Sequence, residues 1–165
     1  GLDTGDIILQ KDFSLNNRVT LKELHDKCAN IGAELLIEAL DNIDKLPRIK
    51  QQNCSASYAH KLSKQEGRVN WKEDAFEIDC KIRGMNPWPG VYFYHNGKMI
   101  KILEAECTKR KHKIEVGTII NENFEVACGR NTLIIKSLKP EGRGEMSASS
   151  YLRGLCKSKK GTQLH

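Results

Sequence analysis

Two different spacings of hydrophobic residues divide the chain into a helical first part and a strand-rich second part. Within TLKELHDKCANIGAELLIEALDNIDKLP, apolar side chains recur every three or four positions, at Leu24, Cys28, Ile31 and Leu35. This spacing predicts a helix with one buried stripe, and Thr20 followed by Glu23 predicts a capping box at its start. The preceding DIILQKDF predicts a short strand, and a strand followed by an amphipathic helix is typical of the end of an α/β unit.

The middle of the chain is polar and then becomes helical again. Residues 49–66 predict an ordered linker with a short helical segment. The stretch NWKEDAFEIDCKIRGM predicts a second helix, capped by Asn70 with Glu73 three residues later. Its expected inner face consists of Ala75, Ile78 and Ile82.

After the turn NPWPG the apolar residues alternate with polar ones, which is the period of a strand. VYFYHNGKMIKILEAE predicts a hairpin in which Asn96 and Gly97 form a type I′ turn. VGTIINEN, FEVACG and NTLIIKSLK predict three more strands, so the second part is expected to be a small antiparallel barrel or sandwich. MSASSYLRGL predicts a helix capped by Ser147, and CKSKKGTQLH predicts a frayed basic tail.

Charge separates the same two parts of the chain. Residues 1–48 hold six Lys/Arg against nine Asp/Glu, residues 49–66 hold three against one, and residues 67–165 hold 18 against 11. The overall charge of +6 therefore conceals an acidic first part and a strongly basic second part. This asymmetry predicts two domains with different partners, of which the second binds a polyanion.

Composition and cysteine spacing exclude several classes of protein. The six cysteines lie 21 to 28 residues apart, without a C-x-x-C pair or a Cys/His cluster, so we expect reduced thiols in a cytoplasmic protein and no metal site. No apolar run reaches the length of a membrane span, and no export signal is visible. No exposed apolar stripe requires a dimer, and we expect a monomer.

The clearest candidate for polyanion binding is the basic run TKRKHK, which contains Lys109, Arg110, Lys111 and Lys113. Such a run is either a phosphate-contacting patch or a solvated face. Further cations of the same part of the chain favour the patch, and they include Lys61, Lys64, Arg68 and Arg143. The few aromatic residues are expected to lie in the core, which favours contact with the backbone of a structured nucleic acid over base stacking.

The opening GLDTGD places Asp3 in a tight, glycine-flanked turn. A carboxylate there either caps its own backbone or takes part in acid–base chemistry. The residues alone favour the cap, because no partner histidine or nucleophile lies near Asp3 in the sequence.

Four stretches together resemble one known family in order and spacing. GLDTGDII, YAHKLSKQEGRVNW, IRGMNPWPG and LKPEGRGEMSASSYLRG are similar to the C-terminal half of methionyl-tRNA formyltransferases. GLDTGD is shared by folate-dependent formyltransferases and hydrolases, and NPWPG by sugar-nucleotide formyltransferases. The linker YAHKLSKQEG and the ending MSASSYLRG are the parts that resemble the tRNA enzyme.

The resemblance implies an enzyme that transfers a formyl group from 10-formyltetrahydrofolate to the amino group of methionyl initiator tRNA. It implies that residues 1–48 end a Rossmann-like formyltransferase domain, that residues 49–66 are a linker, and that residues 67–165 form an OB-like barrel with flanking helices that holds the tRNA. It also implies that Asp3 is catalytic, orienting a histidine and helping to move protons, and that Leu2 and Asp3 contact the folate.

Nine residues are expected to contact tRNA phosphates: Lys61, Lys64, Arg68, Arg83, Lys109, Arg110, Lys111, Lys113 and Arg143. The family's usual pair of lysines is replaced here by Arg143 and Gly144, which removes one expected cation. The family's Asn-x-His segment, folate loop and tRNA-wedging insertion are also missing from these 165 residues, so we expect the chain alone to be catalytically inert.

Two other functions remain open from the sequence. The basic barrel could act as a non-catalytic RNA-binding module. Alternatively, the protein could formylate a sugar nucleotide or hydrolyse formyl-folate, although those reactions do not require a basic barrel.

Overall fold

The computed structural model describes residues 4–52, 54, 56–155 and 161–165. The chain forms two compact units, Gly1–Lys61 and Leu62–His165. Leu2 and Asp3 lie outside the described residues. No helix in the described part of the chain has the length and apolar character needed to cross a membrane.

The first unit contains one long helix, α1, which spans Leu21–Asp41. Its predicted capping box is confirmed: the Thr20 amide donates to Glu23 Oε2 at 2.8 Å, and the Glu23 amide donates to Thr20 Oγ1 at 3.3 Å. The predicted buried stripe is wrong, because no residue of α1 is buried and Cys28 is exposed. In the described part of this unit no sheet covers the helix, so its apolar face remains largely accessible.

The predicted strand DIILQKDF is also wrong. Only Ile7 pairs, in a single antiparallel bridge to Ile49 with N–O distances of 2.8 and 3.0 Å. A strand needs a continuous ladder of partners, and the described residues of this unit supply one rung.

The second unit begins with a 3₁₀ turn at Gln65–Gly67 and helix α2 at Ala75–Met85. The predicted cap at Asn70 is wrong, because Asp74 caps the helix, with Oδ1 accepting from the Phe76 amide at 3.0 Å. The Gly129 amide donates to the carbonyl oxygens of Trp71 and Glu73 at 2.8 and 2.9 Å. These contacts hold the chain before Asp74 in a turn, so the helix starts four residues later than predicted.

The described strands form one antiparallel sheet. Their bounds are β1 Val91–His95, β2 Lys98–Thr108, β3 Glu125–Ala127, β4 Thr132–Pro140 and β5 Met146–Ser147. The order is β1-β2-β4-β3, with β5 also paired to β4. The antiparallel, strand-rich architecture predicted for this part is therefore confirmed, although VGTIINEN contributes only isolated bridges at Thr118 and Ile119.

Local turn chemistry explains the sheet's connections. Asn96 and Gly97 have φ values of 52° and 75°, as the predicted type I′ hairpin between β1 and β2 requires. Helix α3, Ala148–Arg153, begins at the predicted cap, since Ser147 Oγ accepts from the Ser150 amide at 3.2 Å.

The core of this unit lies between α2, α3 and one face of the sheet. The predicted inner face of α2 is confirmed, because Ala75, Ile78 and Ile82 are buried in the same cluster as Phe93. The predicted frayed tail is wrong for residues 161–165: Leu164 is buried, and the amide of His165 donates to the Tyr94 carbonyl at 3.0 Å. Residues 156–160 lie outside the described part.

Candidate nucleic-acid interface

The basic run becomes a surface segment, residues 109–113, that leaves the end of β2 and belongs to neither helix nor strand. Lys109, Lys111 and Lys113 are exposed. Among the described residues no acidic side chain forms an ion pair with any of these three lysines. Their ammonium groups are therefore available to an anionic partner.

The two residues between these lysines bind the body of the protein instead. Arg110 Nη1 donates to Glu125 Oε2 at 2.8 Å, and the Glu125 side chain is 6% exposed. The ring nitrogens of His112 lie 2.8 Å from the Asn131 carbonyl oxygen and 3.2 Å from the Ile114 carbonyl oxygen. The segment thus alternates between outward lysines and anchored residues, a distinction that its charge alone did not reveal.

A second basic surface lies on the outer face of the sheet, at the first half of β2. Tyr92, Lys101 and Lys139 are direct neighbours across three strands. Arg68 lies over the Tyr94 ring, with Cζ 5.5 Å from the ring centroid, a cation–π arrangement. Sequence reasoning did not single out Lys101, although the alternation of β2 places its side chain opposite the buried Ile100 and Ile102.

Arg83 occupies a different environment from the other candidate cations. Its Nε donates to Asp79 Oδ2 at 3.1 Å, and the two side chains are 14% and 1% exposed. A guanidinium so enclosed and so paired holds the buried Asp79 carboxylate and offers little of its surface to a phosphate.

Arg143 lies beside a cavity of about 220 Å³ between the β1–β2 hairpin and α3. His95 and Tyr151 line the cavity, with His95 Nδ1 2.8 Å from the Tyr151 hydroxyl oxygen. Burial lowers the pKa of His95 and raises the pKa of Tyr151, so both side chains favour their neutral forms.

The remaining candidates are exposed. Lys64 and Arg68 lie on the second unit, and Lys61 ends the first. No group of three or more His, Cys, Asp or Glu side chains that could hold a metal occurs within the described residues.

Comparison with known proteins decides the family. Residues 61–155 match the model described as "Formyl transferase, C-terminal domain", which is more than half of the chain. The chain belongs to this family. The resemblance found in the four sequence stretches is therefore confirmed.

Curated relatives of this chain carry a more specific name. A protein named "Methionyl-tRNA formyltransferase" from Rickettsia bellii is 58% identical over 154 residues, which are 93% of this chain and 51% of the relative. A protein of the same name from Rickettsia felis is 54% identical over the same length. The chain thus spans about half the length of the curated relatives that it matches.

Solved structures share the fold of this chain. HypX from Aquifex aeolicus superposes with a TM-score of 0.62 at 18% identity, covering 92% of this chain and 29% of that protein. An N-formyltransferase from Helicobacter canadensis, solved with folinic acid and dTDP-3-aminofucose, gives a TM-score of 0.59 at 24% identity, covering 82% of this chain and 51% of the other. At such identities the likeness concerns the fold.

Proposed function

We propose that this chain acts as the C-terminal half of an enzyme that transfers a formyl group from 10-formyltetrahydrofolate to the amino group of methionyl initiator tRNA. The observation that carries the proposal is its 58% identity, over 154 residues, to a protein named methionyl-tRNA formyltransferase. The activity would belong to translation initiation in the cytoplasm, with the protein acting as a monomer.

The proposed division of labour follows the charge of the two units. Residues 1–48 complete a Rossmann-like formyltransferase domain, and residues 67–165 form an OB-like barrel that holds the tRNA. Residues 49–66 are the linker that joins them. The exposed lysines of the 109–113 segment support the assignment of the barrel to tRNA binding, because unpaired surface cations neutralise phosphates and release their counterions.

The proposed tRNA contacts are best divided by how available each cation is. Lys109, Lys111 and Lys113 are the strongest candidates, and Lys61, Lys64, Arg68 and Arg143 are further exposed ones. Lys101 and Lys139 join them because they lie beside Tyr92 on the outer face of the sheet. We omit Arg83, since Asp79 already holds its guanidinium.

Asp3 is the proposed catalytic residue of this chain, with Leu2 beside it at the folate. A carboxylate next to an imidazole favours the cationic form of that ring, which stabilises negative charge as the amine attacks the formyl carbon. The Asp3 carboxylate also offers an acceptor for the proton that the amine must lose.

Formyl transfer by the complete gene product tests the proposal. Methionyl initiator tRNA and a dTDP-amino sugar are offered as acceptors with 10-formyltetrahydrofolate, and formylated products are measured by mass spectrometry. We expect formyl-methionyl-tRNA alone, whereas formylation of the sugar alone would overturn the proposal.

Asp3→Asn in the same protein separates catalysis from binding. We expect the rate of formyl transfer to fall at least 100-fold, as is usual on loss of a general acid–base group, while tRNA affinity is retained. A fully active Asp3→Asn enzyme would remove the catalytic assignment. Tight tRNA binding without any transfer by the unaltered protein would favour a non-catalytic RNA-binding module.

A further inference from the structure

The outward lysines of the 109–113 segment depend on a buried carboxylate beneath them. Glu125 lies on β3 with 5% of its surface exposed, and its carboxylate accepts from three side chains. The donors are Arg110 Nη1 and Asn121 Nδ2 at Oε2 and the Thr132 hydroxyl at Oε1.

These contacts close a ring of hydrogen bonds that starts and ends at Arg110. The Thr132 hydroxyl donates its hydrogen to Glu125 Oε1 at 2.6 Å. The hydroxyl oxygens of Thr108 and Thr132 are 2.6 Å apart, so the hydrogen between them must come from Thr108. The Thr108 oxygen then accepts from the Arg110 amide at 3.3 Å. Both the backbone and the guanidinium of Arg110 are therefore tied to one buried acid.

The ring decides which way the segment presents its side chains. Arg110 is held at the sheet, and two residues later the His112 ring is held between the carbonyl oxygens of Ile114 and Asn131. Lys109, Lys111 and Lys113 flank these two anchors and are exposed. A segment fixed in this way loses less conformational entropy on binding than a free one.

We propose that Glu125 is a positioning residue, which holds Arg110 so that the 109–113 segment presents Lys109, Lys111 and Lys113 as a pre-ordered set of cations for RNA phosphates. This inference rests on the tRNA-binding function proposed above. It assigns Arg110, the only arginine of the basic run, to anchoring the segment, with the phosphate contacts left to the neighbouring lysines.

The direction in which Glu125→Gln changes tRNA affinity shows whether Glu125 acts only through its charge or as an anchor of the segment. Glu125→Gln removes a negative charge beneath the segment, so simple electrostatics would make tRNA bind more tightly. Loss of the anchor predicts the opposite: affinity falls about five- to thirtyfold, the cost of ordering the backbone of roughly one more residue on binding. Arg110→Gln should have the same effect, and the double variant should be no weaker than either single one.

Salt dependence gives a second, independent readout. The lysines still meet the same phosphates once the segment is ordered, so Glu125→Gln and Arg110→Gln should shift log K equally at every KCl concentration and leave the slope unchanged. If Arg110 contacts a phosphate, Arg110→Gln lowers the slope by roughly 0.7–0.9. Lys81→Gln, which removes a cation paired with Glu73 on another element, is the control and should change little.

Hydrogen exchange in the free protein tests the anchoring role of Glu125 without tRNA, and so independently of the proposed function. We expect faster exchange of the amides of residues 109–113 in both variants, at unchanged circular dichroism. Unchanged exchange, a lower salt slope for Arg110→Gln, or tighter binding by Glu125→Gln would each overturn the positioning role. Arg110 is half exposed, so its variant retains the test if Glu125→Gln does not fold. If the variants exchange faster but the unaltered protein does not bind tRNA, the anchoring role of Glu125 is supported and the proposed function is contradicted.

Discussion

His95 Nδ1 lies 2.8 Å from the hydroxyl oxygen of Tyr151, and the two rings meet edge to face with centroids 5.8 Å apart. The contact joins the end of β1 to helix α3 across 56 residues of sequence. His95 is 3% exposed, although it directly precedes the Asn96–Gly97 hairpin turn.

The burial of His95 makes the stability of the fold depend on pH in a defined direction. Burial lowers the pKa of His95, so below about pH 6.5 the unfolded chain takes up a proton that the folded protein does not. The contribution of His95 is fully present above that pH and is lost as the pH falls towards the lowered pKa, by at most about 1.4 kcal/mol per pH unit.

Urea unfolding at pH 7.5 and pH 5.5 measures the effect. We expect His95→Gln to lose less stability between the two values than the unaltered protein does. His25→Gln, which removes a side chain that is 77% exposed, is the control and should retain the full loss. Equal losses in all three proteins would contradict the account.

Asp74 should contribute more to stability than Asn70, the residue that the sequence favoured as the cap. The Asp74 carboxylate accepts from the Phe76 amide and also binds Arg130, whereas Asn70 Oδ1 accepts from the nearby Lys72 amide. Removing a helix N-cap costs about 0.5–2 kcal/mol, so Asp74→Ala should lower the free energy of unfolding by that amount at pH 7 and Asn70→Ala by less.

The stabilisation that Asp74 provides should depend on pH. The hydrogen bond from the Phe76 amide holds the pKa of Asp74 below its usual value. Its stabilisation is therefore present above about pH 4 and disappears as the pH falls through the lowered pKa. An Asp74→Ala deficit that is as large at pH 2.5 as at pH 7 would show that the charge of the cap is not involved.

The cysteines should differ sharply in reactivity. Burial raises the pKa of the Cys128 thiol to about 12, whereas Cys28 is exposed on α1. Because the thiolate is the reactive form, iodoacetamide at pH 8 should modify Cys28 in the native protein and Cys128 only after unfolding. Peptide mass spectrometry distinguishes the two sites, and rapid native labelling of Cys128 would show that the segment directly after β3 opens readily.

Local chemistry explains which parts of the fold were predictable. The φ values that Asn96 and Gly97 adopt and the cap that Ser147 supplies depend on a few neighbouring residues, and both predictions were confirmed. Asn70 and Asp74 are each followed three residues later by a glutamate, so the sequence offers two equivalent caps. The choice is made by Gly129, 55 or more residues away, whose amide binds the turn before Asp74.

Similar reasoning explains the limits of the site prediction. Charge made Arg110 equivalent to the three lysines of the basic run, because Glu125, which distinguishes Arg110, lies on another strand. Cys28 has the spacing of a buried residue, but spacing does not show whether anything covers the helix. The roles proposed for Leu2 and Asp3 rest on resemblance alone.

The most direct test of the central claim is the salt dependence of tRNA binding by this chain. Affinity for initiator tRNA is measured from 50 to 300 mM KCl for the unaltered protein and for Lys109→Ala/Lys111→Ala/Lys113→Ala. A control removes the same charge from exposed lysines of the acidic unit, as Lys22→Ala/Lys45→Ala/Lys50→Ala. The account predicts a log–log slope that falls by roughly two to three in the first variant and is unchanged in the control. Salt-independent binding, or equal slopes in both variants, would contradict it.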